Sequence, residues 1–132
     1  MCYKFATDEK TYSDAKSSCR ATGGHLAMPK DQATNDFLVK QIKDSFPSKY
    51  IFPWIGLTAQ VQEGTWVWDD GTALGTGQWN NWDPGYPRHL DPHSTQTRCA
   101  AWLPNYSYKW IDHFACTYAF YYICEVKANA AP

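Results

Sequence analysis

The segments Trp54-Ile55-Gly56-Leu57 and Thr65-Trp66-Val67-Trp68-Asp69-Asp70-Gly71 mark the point where the chain changes to β-type sequence. Both begin with short runs of aromatic and branched residues, a composition that suits a pleated, half-buried strand. Asp70-Gly71 is a strong turn signal, because glycine readily adopts the backbone conformation that a tight hairpin needs. Three further β-type runs are predicted downstream, at residues 99–103, 109–114 and 120–126. A short strand is also predicted at the start of the chain, over Cys2, Tyr3 and Phe5.

Before residue 50 the apolar residues recur at helical spacing. A first helix is predicted from Tyr12, Ala15 and Cys19. We expect Gly23-Gly24 to end it. A second helix is predicted over residues 31–46, with Asp31 as its N-cap and Pro47 as its stop. Its apolar stripe is predicted to comprise Phe37, Leu38, Gln41 and Ile42.

Residues 74–98 contain few aliphatic side chains and many Gly, Pro, Asn, Asp and His residues. They predict a loop of about 25 residues, which is longer than compact domains usually contain unless the loop has a function. Two helices followed by several strands and one long loop indicate the α+β class.

Length and charge narrow the functional classes. The 132 residues are expected to form a single domain spanning residues 1–132. With 12 basic and 13 acidic residues the net charge is −1, which argues against nucleic acid as a partner because its binders normally carry a basic excess. No apolar run approaches the roughly 18 residues of a membrane span, so none is predicted.

The cysteine content bears on the compartment. Five cysteines occupy positions 2, 19, 99, 116 and 124. This number in a small chain favours an oxidising environment, and we expect a secreted, extracellular protein. Buried free thiols in a cytosolic protein are the alternative, and spacing alone leaves the pairing open. Because Met1-Cys2-Tyr3-Lys4 does not resemble a signal sequence, the domain is expected to be excised from a longer secreted protein.

Several motifs follow one another along the chain: Trp54-Ile55-Gly56-Leu57, Glu63-Gly64, Trp68-Asp69-Asp70-Gly71, Trp79-Asn80-Asn81-Trp82, Asp83-Pro84-Gly85, Trp110 before Cys116, and Tyr122-Ile123-Cys124-Glu125. In this order they resemble the C-type lectin-like domain family, from Cys2 to Glu125, and most of all the secreted invertebrate lectins of innate immunity. The resemblance implies an α+β, C-type lectin-like fold: two helices, short antiparallel sheets and a long ligand-binding loop.

The resemblance also implies two disulfides, Cys19 to Cys124 and Cys99 to Cys116. Cys2 matches the second cysteine of an N-terminal hairpin in longer family members, whose first cysteine is absent from this sequence. We therefore expect Cys2 to pair upstream of this chain, with a bond between two chains as the alternative.

Sugar-binding members of the family hold Ca²⁺ in the long loop with a Glu-Pro-Asn or Gln-Pro-Asp motif. The matching positions here are Tyr86-Pro87-Arg88, of which only the proline is retained. In the family the peptide bond before this proline is cis, and we expect the same here. A further family glutamate aligns with Thr97, and the family's Trp-Asn-Asp motif aligns with Trp110-Ile111-Asp112. Because Ca²⁺ needs roughly six to eight oxygen ligands, we expect no Ca²⁺ at this site.

The loop carries a different set of metal-ligand residues. His89, Asp91 and His93 alternate along the chain, so they share one face if the segment is extended. Imidazole and carboxylate suit Zn²⁺, and Asp112 or His113 could supply a fourth ligand. The alternative is that both loop histidines are simply solvated.

Aromatic side chains offer a route to carbohydrate that needs no metal. Tyr86, Tyr106 and Tyr108 lie in or beside the loop, where their rings can stack on sugars. Arg88 and Lys109 could meet anionic groups. Six tryptophans are expected to pack in the core or at the base of the loop instead: Trp54, Trp66, Trp68, Trp79, Trp102 and Trp110.

These residues predict a binding module that uses residues 83–98 and 105–113. The predicted ligand-binding residues are Tyr86, Pro87, Arg88, His89, His93, Tyr106, Tyr108, Lys109 and Asp112. The expected partners are glycans or bacterial cell-wall polymers, bound by a monomer or weak dimer. A protein-binding domain of the same fold is the main alternative, and a purely structural role is the third. No enzyme is predicted, because nucleophile and phosphate-loop motifs are missing and Asp69 and Asp70 should diverge.

Overall fold

The computed structural model describes residues 1–46, 51–59, 65–75, 77–87, 98–104, 107–112 and 114–127. Within them the chain forms two helices and seven strands. Their bounds are β1 Cys2–Phe5, α1 Tyr12–Ala21, β2 His25–Leu26, α2 Gln32–Ser45, β3 Trp54–Thr58, β4 Val67–Trp68, β5 Cys99–Leu103, β6 Lys109–Ile111 and β7 Ile123–Val126. The predicted α+β class is confirmed. None of the helices in these parts of the chain is long and apolar enough to cross a membrane.

Helix α1 begins and ends where its local sequence dictates. Thr11 is the N-cap, and its hydroxyl oxygen accepts the N–H of Asp14. At the other end the N–H of Gly23 donates to Arg20 and that of Gly24 to Cys19, at 2.9 and 3.1 Å. Gly23 has a φ of +83°, so this is the Schellman arrangement that glycine favours. The predicted glycine stop is confirmed.

The residues that helix α2 turns toward the core are only partly the predicted ones. Asp31 is the N-cap as predicted, since its Oδ1 accepts the N–H of Thr34 at 2.8 Å. Leu38 and Ile42 are buried as predicted, but the third buried residue is Asn35. Phe37 was expected in the apolar stripe and is 50% exposed. It packs instead at the edge of the stripe against Tyr3, with ring centroids 5.9 Å apart.

The strands form two antiparallel sheets. The three-stranded sheet has the order β1-β7-β2, which brings both ends of the chain together. The four-stranded sheet has the order β4-β3-β5-β6 and carries the long loop between β4 and β5. The apolar core includes five buried tryptophans of the predicted set, Trp54, Trp66, Trp68, Trp102 and Trp110.

Several strands are shorter than predicted. Strand β6 ends at Ile111 rather than at residue 114, and β7 begins at Ile123 rather than at residue 120. Phe120 makes only an isolated bridge to Lys10. The two-residue strand β2 was not predicted, because two residues are too few to show a period.

The Asp70-Gly71 turn is confirmed. The N–H of Gly71 donates to the carbonyl oxygen of Trp68 at 2.9 Å, and the N–H of Trp68 donates to Thr72 at 2.7 Å. Asp69 turns inward and its side chain is fully buried, whereas Asp70 is exposed. The two carboxylates therefore diverge, as expected.

The two implied disulfides are confirmed. Cys19 is bonded to Cys124, and Cys99 is bonded to Cys116. Cys2 is a free, exposed cysteine. The first bond joins α1 to β7, and the second joins β5 to the segment that precedes β7, so together they connect a helix and both sheets.

Candidate ligand-binding site

The base of the long loop runs alongside the outermost strand of the four-stranded sheet. The N–H of Trp110 donates to the carbonyl oxygen of Asn81, and the N–H of Asp83 donates to the carbonyl oxygen of Trp110, both at 2.9 Å. Trp82 and Trp110 thus form a parallel bridge. These bonds tie residues 81–83 of the loop to β6.

A tight turn then carries the chain into the predicted site. The N–H of Tyr86 donates to the carbonyl oxygen of Asp83 at 2.9 Å. Proline and glycine occupy the centre of this turn, and Gly85 has a φ of +88°, which fits a type II turn. The Tyr86–Pro87 peptide bond is cis, as predicted. Tyr86 and Pro87 are both half-buried.

Tryptophan rings form the floor beneath this part of the loop. Trp82 packs edge-on against Trp66 and Trp110, with centroids 4.8 and 5.7 Å away. Trp79 packs edge-on against Trp110 at 5.6 Å. Trp79 and Trp82 are half-buried and Trp66 is buried, which confirms the packing role predicted for Trp66 and Trp79. Edge-to-face contacts of this kind add stability beyond area burial.

A buried amide holds the floor to helix α2. The Oδ1 of Asn35 accepts the indole N–H of Trp102 at 3.0 Å and that of Trp110 at 3.1 Å. Sequence reasoning missed this role. The only available signal was the position of Asn35 on the same helical face as Leu38 and Ile42.

The tip of the β5–β6 hairpin presents Tyr108 in an unusual backbone conformation. Ser107 and Tyr108 both have a φ of +57°. Asn81 holds the tip, because its Nδ2 donates to the carbonyl oxygen of Tyr108 and its Oδ1 accepts from Lys109 Nζ, both at 3.0 Å. Lys43 Nζ lies 5.4 Å from the centre of the Tyr108 ring. Burial raises the pKa of Tyr108, so its hydroxyl is neutral at pH 7.

Comparison with known proteins identifies this architecture. The family model described as "Lectin C-type domain" matches residues 8–126. The chain belongs to the C-type lectin family. C-type lectin domains are, as a family, carbohydrate-binding modules, and this domain is a module of that general kind. Because the family consists of binding proteins, the prediction that this protein is not an enzyme is confirmed.

Relatives and solved structures agree with this assignment. The domain is 34% identical to chicken collectin-10 over 93% of this chain and 40% of that protein. It is 29% identical to the CD209 antigen of the gibbon Symphalangus syndactylus over 96% of this chain and 30% of that protein. The carbohydrate-recognition domain of mouse scavenger receptor C-type lectin superposes with a TM-score of 0.79 at 28% identity, covering 99% of this chain and 91% of that one. The chain thus spans less than half the length of these two curated relatives.

Four predicted site residues of the lectin domain lie beside strand β6, two on the loop and two at the start of the strand. Tyr86 and Pro87 follow the turn that is bonded to β6, and Tyr108 and Lys109 lie at the start of that strand. Asp112 directly follows β6 and is fully buried. Five predicted residues fall outside the described residues: Arg88, His89, Asp91, His93 and Tyr106. Asn81 was not predicted as a site residue, although it lies within the family motif that starts at Trp79.

The described part of the chain has few typical calcium ligands at the positions that the family resemblance assigns to the metal. At the family's metal positions it offers the ring of Tyr86, the aliphatic side chain of Ile111 and the single carboxylate of Asp112. No cluster of three His, Cys, Asp or Glu residues suited to a metal occurs among the described residues. The aligned Thr97, the predicted zinc ligands and the alternative fourth ligand His113 all lie outside them.

Proposed function

We propose that the lectin domain binds microbial or cell-surface carbohydrate, including bacterial cell-wall polymers, through an aromatic surface beside strand β6. Tyr108 lies at the start of this strand, and Tyr86 ends the turn that follows the loop residues bonded to it. The observation that carries this proposal is the backbone of the hairpin tip. Two consecutive residues other than glycine, Ser107 and Tyr108, adopt left-handed conformations. Each costs roughly 1–2 kcal/mol, and such strain is often stored where a side chain must be displayed for function.

The surroundings of Tyr108 support a role in binding. Asn81 fixes both the backbone of Tyr108 and the amine of Lys109 at 3.0 Å, so little conformational entropy remains to be lost on binding. A tyrosine ring offers a face for a sugar ring and a hydroxyl for its polar groups. Lys109 and Lys43 add positive charge beside the ring. That charge suits glycans and cell-wall polymers with carboxylate or phosphate groups.

The proposed binding is independent of calcium. The family positions occupied by Tyr86, Arg88 and Thr97 lack the carboxylate and amide oxygens that calcium favours. Binding in a chelating buffer should therefore match binding in calcium. A complete loss of binding in the chelator would overturn this part of the proposal.

The test exchanges Tyr108 for a residue that tolerates the same backbone conformation. Asparagine accepts left-handed φ values, so Tyr108→Asn removes the ring while retaining the hairpin. We expect retention on polysaccharide and peptidoglycan to fall about tenfold. Thermal stability should change little, because the relief of backbone strain offsets the loss of the ring's packing against the core. Tyr118→Asn is the matched control, since Tyr118 is 53% exposed outside the site. Equal retention by both variants would contradict the proposal, and binding to a protein ligand alone would favour the protein-binding alternative.

We also propose zinc binding by His89, Asp91 and His93, on the chemistry of their side chains. A chelator-treated sample should gain thermal stability when zinc is added, since a ligand of the native state raises the midpoint. His89→Ala and His93→Ala should each abolish this gain. An unchanged response in both variants would exclude this segment as the zinc site.

We also propose that the protein is secreted, because it contains disulfide bonds. Two bonds close among the described cysteines, and such bonds persist in oxidising compartments.

A further inference from the structure

Apart from the aromatic surface proposed above, the protein has a cleft that lies against the three-stranded sheet. Its volume is about 910 Å³, which is within the range of small-ligand sites. Tyr3, His25, Met28, Asp31 and Glu125 contribute to its lining. Neither Tyr86 nor Tyr108 lines it, so it is separate from the aromatic surface proposed above.

The strand register aligns three polar side chains across this cleft. Glu125 on the central strand β7 lies opposite Tyr3 of β1 and opposite His25 of β2. Directly opposed residues point to the same face of a sheet. Tyr3, Glu125 and His25 therefore form a row, with the carboxylate in the middle.

Glu125 is a buried carboxylate with incomplete charge compensation. It is 6% exposed, and its Oε1 accepts the N–H of Met28 at 2.7 Å. Burial raises the pKa of Glu125, while the Met28 hydrogen bond and the charges of Lys30 and His25 lower it only in part. No ion pair joins Glu125 to a cation in the described part of the chain.

The neighbouring basic side chains contact other carboxylates or solvent. Lys30 Nζ lies 2.6 Å from Asp70 Oδ2. His25 Nδ1 lies 3.4 Å from Asp69 Oδ2. Lys127 lines the cleft and is exposed to solvent, where water screens its charge.

Asp31 contributes a second carboxylate to the cleft, near Tyr3. Burial raises the pKa of Tyr3, and the charges of Glu125 and Asp31 raise it further. Tyr3 lies opposite Glu125 in the sheet and lines the same cleft as Asp31. An aromatic face beside negative charge is a favourable environment for a cation.

We propose that this cleft binds a protonated primary amine, with the ammonium group at Glu125 and the attached carbon skeleton against Tyr3 and Met28. The carboxylates of Glu125 and Asp31 would repel an anion. A neutral ligand would leave the negative charge of Glu125 without a counter-charge. Such an amine can come from an amino sugar or from a lysine side chain. The shared feature is the charge, so acetylating the amine removes the recognised group.

The first experiment records the backbone amide of Met28 by NMR, because this N–H donates to Glu125. The probes are glucosamine and Nα-acetyl-lysinamide, each compared with its N-acetylated neutral counterpart below the pKa of the amine. Saturable shifts with either amine and not with the neutral counterparts are expected. A response to glucosamine alone identifies an amino sugar, and a response to the lysine derivative alone identifies a peptide side chain. No shift, or equal shifts with the neutral compounds, would overturn the proposal.

The second experiment uses variants of the whole chain. Glu125→Gln keeps an oxygen acceptor for Met28 and removes the charge, so amine affinity should fall about tenfold or more. Asp8→Asn is the matched control, since it also removes one negative charge but lines a different cleft. Tyr3→Leu should weaken binding, whereas Tyr3→Phe should retain it. Unchanged affinity in Glu125→Gln would overturn the proposal.

Carbohydrate binding at the aromatic surface and amine binding in the cleft can be tested independently of each other. Tyr108→Asn should leave the Met28 shifts unchanged, and Glu125→Gln should leave polysaccharide retention unchanged. A loss of amine binding in Tyr108→Asn would place the amine at the aromatic surface and overturn the assignment of this cleft.

Discussion

Asn35 shows how one buried polar residue determines the position of the binding surface. Its Oδ1 accepts hydrogen bonds from Trp102 and Trp110, and its residue exposure is 4%. An amide oxygen has two lone pairs, so it can satisfy both indole groups at once. The bonds link α2 to strands β5 and β6, and Trp110 in turn supports the loop residues bonded to it. The surface around Tyr108 therefore rests on a contact made by a helix distant in sequence.

Removing this amide should be costly. Asn35→Ala leaves two buried indole N–H groups without their acceptor, at about 1–3 kcal/mol for each unsatisfied group. We expect the free energy of unfolding in urea to fall by about 2–6 kcal/mol. Gln32→Ala is the control on the same helix, since Gln32 is exposed, and it should change stability by less than about 0.5 kcal/mol. Equal effects of the two substitutions would show that the indole groups find other acceptors.

Asp70 makes stability depend on pH in acid. Partial burial raises the pKa of Asp70, but hydrogen bonds from Lys30 and Thr72 outweigh it and hold the pKa at about 2. The carboxylate therefore stabilises the fold above its unfolded pKa of about 3.9. This contribution is lost as the pH falls from about 4 to about 2.

Asp70→Asn should remove that pH dependence. At pH 7 the variant should lose at most about 1 kcal/mol in urea unfolding, because this ion pair is partly exposed and screened by solvent. The difference between the two proteins should shrink as the pH falls through the window between about 4 and about 2. A difference that stays constant across that window would mean that Asp70 titrates normally.

At the level of helices and strands, the sequence predicts the elements that carry their own local signals. Helix α2 is predicted to within about one residue at either end, because Asp31 caps it and the sequence places a proline just beyond it; Pro47 itself lies outside the described residues. Strands such as β2 and β7 depend on partners far along the chain, so their bounds follow from pairing rather than from composition. Phe37 is misassigned for a similar reason, because the direction of the core is set by tertiary packing.

The candidate site is predicted less completely than the fold. Tyr86, Tyr108 and Lys109 can be proposed as site residues from their residue types and, for Tyr86, from its position in the family motif. Asn81 and Asn35 are not, since an asparagine in a polar loop or on a helix face has many ordinary roles. Their functions arise only from hydrogen bonds between segments that the sequence does not show to be adjacent.

The junction between α1 and the three-stranded sheet depends on a glycine. A Cβ atom at Gly24 would overlap the carbonyl oxygen of Glu125 and lie 2.8 Å from Val126 Cγ2. Gly24→Ala should therefore force β7 away from the end of the helix and cost about 1–3 kcal/mol in urea unfolding. Gly75→Ala is the control, because its Cβ would meet only the side chain of Gln78, at 3.5 Å. If both variants unfold alike, the sheet adjusts to the added carbon without cost.

Across the whole molecule, the two disulfides close loops of very different length. Cys19 and Cys124 are 105 residues apart, whereas Cys99 and Cys116 are 17 apart. The longer loop restricts the unfolded chain more, by roughly 4–5 kcal/mol against about 3 kcal/mol on the chain-entropy estimate. All four cysteines are buried, so replacing a pair with alanines creates comparable local defects in the core.

Urea unfolding of two double variants separates loop length from local packing. Cys19→Ala with Cys124→Ala should lose more stability than Cys99→Ala with Cys116→Ala, by about 1–2 kcal/mol. Cys2→Ser is the control and should unfold as the parent does, because Cys2 is exposed and free. A larger loss from the shorter loop would show that the second bond acts through the native state, by holding β5 against the segment that precedes β7. In that case the same variant should also lose polysaccharide retention, since β5 pairs directly with the strand that carries Lys109.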